Sequence, residues 1–181
     1  MGTPEEPVDP AFDELYAGDL DEFVARRDQL AKDLRGSGDR DAAAKAKRLR
    51  KPSRVAWAVN QAVRRAPGLF DDVVHTGAAL RDVQQRALTE GSGAGLHDAM
   101  RARQRAVGAL ADVGVEALGP TGASARDAIE QTLNAASIDD GAAAAVRGAR
   151  LTQELEPPDI FSTLDAGPGR PAAPAPSRRE M

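Results

Sequence analysis

Large apolar residues recur mostly three, four or seven positions apart, and no run of β-branched or aromatic residues alternates with period two. That is the spacing of helix faces, and it leaves no segment that reads as a strand. Phe12, Leu15 and Tyr16 form a short apolar patch of about one helical turn. Asp19 with Glu22 predicts the start of a helix over 20–35, whose stripe is Leu20, Phe23, Leu30 and Leu34, with Arg27 inside it. Gly36-Ser37-Gly38 ends that helix, and Asp39 caps a second over 40–50. Pro52 keeps Lys51 out of the α region, and Ser53 caps a third helix over 53–66 before Pro67. A fourth, over 68–89, presents Leu69, Val73, Leu80 and Ala87, with Phe70 and Leu88 beside them.

After Gly91-Ser92-Gly93-Ala94-Gly95, a fifth helix over 96–118 presents Leu96, Met100, Val107, Leu110 and Leu118. Arg103 sits inside its stripe, and Gly114 allows a close neighbour. A sixth, over 123–136, offers Ile129 and Leu133, and a short seventh spans 140–150. Leu151, Leu155, Ile160 and Phe161 are expected to pack back on the bundle. The expected fold is all-α: an antiparallel helical bundle of about six helices over residues 12–161. A disordered segment is expected over 1–11, and a disordered Pro/Ala/Arg tail over 162–181.

Composition qualifies this picture. The chain holds 36 alanines and only six aromatic residues, so its helices form readily but gain little from each contact. It has no cysteine, which excludes disulfides and thiolate chemistry. The opening MGTPEEPVDP has neither a basic segment nor an apolar run, and no stretch of 18 apolar residues exists. A soluble cytoplasmic protein without a membrane partner is the expectation.

Charge is uneven. Residues 1–39 hold 11 acids and 4 bases, residues 40–65 hold 1 acid and 9 bases, and residues 66–181 hold 16 acids and 11 bases. A block of net +8 therefore separates blocks of −7 and −5 in a chain of formal charge −4. The basic block coincides with the helix over 53–66. On a helical wheel Val55, Val59, Ala62, Val63 and Ala66 share one side. Trp57, the sole tryptophan, falls on the other side with Asn60, Gln61 and Arg64, and Arg54 and Arg65 lie nearby.

Two accounts of that polar face compete. In the favoured one the helix is central and covered on both faces, with Trp57 as an anchor. Burying about 150–250 Å² of indole favours this by roughly 4–6 kcal/mol as an upper bound. In the other, Trp57 is a contact point flanked by cations, suited to stacking on a base or meeting a protein. The candidate interaction surface is Lys45, Lys47, Arg48, Arg50, Lys51, Arg54, Trp57, Asn60, Gln61 and Arg64. The acids Asp19, Asp21, Glu22, Asp28 and Asp33 are placed to lie against the block and cancel its field.

Three segments, FVARRDQLAKDL over 23–34, LRKPSRVAWAVNQ over 49–61 and RLTQEL over 150–155, resemble an uncharacterised family of Ala/Arg-rich helical proteins from actinobacteria. Lys51-Pro52-Ser53 followed by Ala56-Trp57-Ala58-Val59-Asn60-Gln61 is the most distinctive stretch. The resemblance implies a helical fold and brings no known activity, cofactor or site residue.

Chemistry-bearing motifs are sparse. His75 and His97 lie on different helices, neither with another His or a Cys at helical metal-site spacing. Gly91-x-Gly93-x-Gly95 follows no strand and precedes no Lys-Ser/Thr, so it reads as a linker rather than a phosphate loop. Asp71-Asp72 and Asp139-Asp140 are adjacent pairs whose carboxylates diverge by about 100° on a helix. Arg27 and Arg103 are expected to snorkel from the edges of their stripes; a polar pocket or a salt bridge are the alternatives. No catalytic, metal or cofactor site emerges. The leading expectation is a non-enzymatic module that binds a protein partner or self-associates. The alternative is a nucleic-acid-binding module using the basic 45–65 region, with the Arg101-x-Arg103-x-Arg105 run in support.

Overall fold

A computed structural model describes residues 10–156. These form eight α-helices and one 3₁₀ segment, with no strand among the described residues. The helices are α1 (Pro10–Ala17), α2 (Phe23–Gly36), α3 (Arg40–Arg48), α4 (Arg54–Arg65), α5 (Pro67–Glu90), α6 (Leu96–Ala117), α7 (Arg126–Ile138) and α8 (Asp140–Arg147). The 3₁₀ segment (Gly119–Ala125) links α6 to α7.

The helical bundle is as expected, but the count is eight rather than six. The patch at 12–16 grows into the two turns of α1, because Pro10 is preorganised for a first helical turn. Pro10 and Ala11 therefore belong to a helix. The rest of the segment 1–11, the tail 162–181, Ile160 and Phe161 lie outside the described residues.

Local signals set most ends. The Asp39, Ser53 and Asp139 side chains accept from the backbone N–H of Ala42, Ala56 and Ala142, capping α3, α4 and α8. The capping box at Asp19 does not form. Asp19 Oδ1 instead accepts from the Asp21 N–H at 2.7 Å, making a turn, and α2 starts later, at Phe23.

The core lies where α4 meets α5, α6, α7 and α8. Val59, Phe70, Val73, Leu110, Ile129, Leu133 and Val146 are fully buried in it. With so many alanines, helices gain contact by coming close. A Cβ on Gly77 would stand 1.8 Å from the Ser137 carbonyl oxygen, so only glycine lets α5 pass α7 there. The sequence pointed instead to Gly114, where a Cβ would lie 3.4 Å from the Ala58 carbonyl oxygen.

A smaller cluster of Leu15, Tyr16 and Phe23, with Leu49 against it, unites α1, α2 and the end of α3. The Tyr16 and Phe23 rings meet edge to face at 5.2 Å. This second cluster is separate from the main core, and polar bonds to α4 join the two.

Candidate interaction surface around Trp57

The polar face of α4 is where those joining bonds are made. Asn60 is fully buried; its Nδ2 donates to the Leu151 carbonyl at 3.0 Å, and the Leu151 N–H donates to its Oδ1 at 2.9 Å. One side chain thus pairs with a backbone residue in both directions. Gln61, also buried, donates from Nε2 to the carbonyls of Tyr16 and Ala17, each at 3.2 Å. Those carbonyls belong to the last turn of α1, which has no helical partners for them.

Arg64 grips Asp13 with two nitrogens, at 2.8 and 2.7 Å, and donates to the Ala149 carbonyl at 3.0 Å. The Arg64 hydrogen bond holds the Asp13 carboxyl below its usual pKa, against an opposing push from burial. Asn60, Gln61 and Arg64 are therefore occupied inside the chain.

Trp57 is intermediate between the two accounts. It is half-buried, and its indole Nε1 donates to the Gly18 carbonyl at 2.9 Å. The polar edge of the ring is satisfied inside the protein, while part of the ring lines an open groove of about 380 Å³. Asp19, Leu20 and Asp21 form one wall, and Ala117, Leu118 and Thr121 the other, with Arg54 beside the indole. The Arg54 guanidinium donates to the Thr121 hydroxyl across the groove.

The rest of the basic block meets the acidic N-terminal region. Lys47 lies 3.0 Å from Asp28, and Lys51 lies 3.8 Å from Asp21. Arg27 joins Asp28 at 2.9 Å and donates to the Leu49 carbonyl at the end of α3. Lys47 first, then Arg27, lowers the pKa of Asp28. Glu22 turns to Arg26 on its own helix, and Asp33 accepts from Gln29. Lys45 and Arg48 lie exposed on α3, and Arg50 lies exposed in the linker to α4. The Arg50 carbonyl accepts from the Tyr16 hydroxyl.

Of the candidate surface, then, Arg54 and Trp57 meet in one groove with Lys51 near its rim, while Lys45, Lys47 and Arg48 sit on a separate helix. Sequence reasoning missed Gly18 and Asp13 as partners of the α4 face; Leu151 packs on the bundle as expected, but its bonds to Asn60 were not foreseen. Gly18 and Leu151 meet this face through backbone atoms, which no residue type reveals.

Among the described residues no group of three His, Cys, Asp or Glu side chains is placed to hold a metal ion, and no helix is long and apolar enough to cross a membrane. Arg103 donates to the Ser137 hydroxyl at 2.9 Å. In comparisons with known proteins, no family model, curated protein or solved structure matches the chain.

Proposed function

We propose that this protein is a non-enzymatic partner-binding module that docks a protein segment in the groove over Trp57. The observation that carries the reading is a half-buried indole whose N–H is satisfied internally while part of its ring lines an open groove. Tryptophan and arginine side by side are favoured at protein contacts.

The charges around the indole define the partner. Asp19 has no cationic partner among the described residues, and the Asp21 pair with Lys51 is long and exposed. Arg54, across the groove, is met by a neutral hydroxyl. A segment with an apolar side chain between a basic and an acidic residue complements all three. The two carboxylates beside the indole repel a phosphodiester, and Lys47 and Arg64 already face acids. Those pairs make the nucleic-acid alternative the weaker reading.

The test is capture from a native extract by the immobilised chain, with Trp57→Ala and Arg54→Glu variants as comparators. A protein retained by wild type and lost from both variants is then purified, and its affinity for each chain is measured by titration calorimetry. The expected result is at least tenfold weaker binding by either variant, with unchanged helical circular dichroism. Capture that ignores both substitutions, or that disappears with nuclease, rejects the proposal; the latter result favours the nucleic-acid alternative.

A further inference from the structure

Helices α5 and α6 are much longer than the helix that packs on both of them. The last buried residue of α5 is Leu80, yet the helix continues to Glu90; the first buried residue of α6 is Val107, yet the helix begins at Leu96. Ten residues of α5 beyond Leu80 extend about 15 Å. With the turn at 91–95, the two outer segments form a two-helix arm.

In the body of the protein α7 fills the groove between α5 and α6, and it stops where the arm begins. Its penultimate residue, Ser137, accepts from Arg81 of α5 at its carbonyl and from Arg103 of α6 at its hydroxyl. The chain then turns at Asp139, and α8 runs back toward the start of α5, where Arg147 pairs with Asp71 at 2.9 Å. Beyond Ser137 no third helix covers the arm among the described residues.

The side of the arm that continues this groove mixes polar residues with exposed apolar ones. Leu88 follows Gly77, Arg81 and Gln84 at steps of four, three and four, on the stripe of α5 that meets α7. Met100 lines a small cavity of about 210 Å³ with Arg103, Val107, Glu130 and Asn134, and Ile138 lies one turn beyond Asn134. Leu88, Met100 and Ile138 are 82%, 51% and 38% exposed, and only Val24 joins them as an exposed large apolar residue among those described. Scattered exposed apolar residues need no explanation, but here three of four lie on the arm or at the end of α7 beside it.

We propose that this arm is a self-association surface on which two copies of the chain pair antiparallel, each arm filling the groove that α7 leaves open in the other. Two helices cannot cover their own inner faces; two such arms together make four. Charge selects both the partner and the orientation. Near the arm tip Asp98 pairs with Arg101 at 2.8 Å, which leaves Glu90, and at the base Arg81 lies 3.6 Å from Asp140, which leaves Arg103. Glu90 has no cationic partner among the described residues, and Arg103 has no carboxylate partner and a buried Nε without an acceptor. An antiparallel overlap brings each Glu90 toward the other copy's Arg103, and a parallel one sets Glu90 against Glu90. The antiparallel arrangement is also the closed two-fold one.

The arm is short. A face about 15 Å long and two helices wide falls below the roughly 800 Å² per partner of a standard interface. The pairing is therefore weak, with a dissociation constant on the order of 100 µM.

Sedimentation and light scattering from about 10 µM to about 1 mM test this. The expected mass rises from 19.0 kDa toward twice that value with concentration. Leu88→Glu and Met100→Glu each weaken association at least tenfold, and Val24→Glu, at the exposed apolar position away from the arm, leaves it unchanged. Because the chain has no cysteine, single introduced thiols report orientation. Gly93→Cys chains cross-link to Gln104→Cys chains and not to one another. A monomer at every concentration overturns the proposal and leaves the groove to a helix of another protein. A dimer indifferent to Leu88→Glu and Met100→Glu, or tip-to-tip cross-linking, overturns it equally.

Discussion

Replacing Asn60 by alanine tests whether one buried amide holds the segment after α8 to the bundle. The wild-type side chain satisfies both the N–H and the C=O of Leu151, at 2.9 and 3.0 Å, and both residues are buried. Alanine strands one donor and one acceptor. At about 1–3 kcal/mol for each unsatisfied buried group, the cost is about 2–6 kcal/mol. A water entering the vacated space restores part of both bonds and brings the figure to about 2–4 kcal/mol. Against a typical total of about 5–15 kcal/mol, that is a large share.

The remaining ties on this segment are few: Ser53 N–H to the Thr152 carbonyl and Ser53 hydroxyl to Glu154, each at 2.9 Å, Leu155 N–H to Thr132 Oγ1 at 3.3 Å, and Arg64 to the Ala149 carbonyl. The loss is therefore expected as local opening of 149–155 before global unfolding. Hydrogen exchange at the Leu151 amide is the sharpest assay, and protection there should fall by about 30- to 700-fold. Urea unfolding checks the global share. Asn60→Asp keeps an acceptor for the Leu151 N–H but faces a carboxylate toward its carbonyl, so it should cost at least as much. If Asn60→Ala stays within about 0.5 kcal/mol of wild type with Leu151 still protected, the amide is not a structural tie.

Three further outcomes are expected. Gly77→Ala drives a Cβ into the Ser137 carbonyl and should cost about 3 kcal/mol in thermal or urea unfolding, while Gly108→Ala, with open space around it, should gain about 0.5–1 kcal/mol. Ala149 holds a left-handed φ of 49° at the end of α8, so Ala149→Gly should stabilise by about 0.5–1 kcal/mol; a loss in urea unfolding would show that the methyl group matters more than the strain. Asp13 and Asp28 have pKa values lowered on folding, so their contribution is full above the ordinary carboxylate value of about 3.9 and is lost as pH falls through the lower folded values. Trp57 emission should therefore report loosening of α1 in acid, and Asp13→Asn should remove the Asp13 part of that pH dependence; an unchanged acid profile counts against the Arg64 pair.

The helices were legible in the sequence because their causes are local. Spacings of three and four residues set the faces, Asp39 and Ser53 cap their own N-termini, and Gly-Ser-Gly and proline punctuate the chain. The helical wheel also groups Trp57, Asn60, Gln61 and Arg64 on one face of α4. What that face does was decided by partners far along the chain. Asn60 is 91 residues from Leu151, and Arg64 is 51 from Asp13. Such pairings depend on how helices dock, and their acceptors are often backbone carbonyls that every residue carries.

The same limit applies to the arm. Met100 lies on a helical stripe and Leu88 beside one, and both are exposed because α7 ends at Ile138 while α5 and α6 continue. Periodicity tells which side of a helix is apolar. Only the tertiary structure tells how far along that side a neighbour reaches, because burial depends on the lengths of all the helices that share a groove. The basic helix of an acidic chain is thus an internal tie with a half-buried indole, and the most exposed large apolar residues, Leu88 and Met100, lie on a different pair of helices.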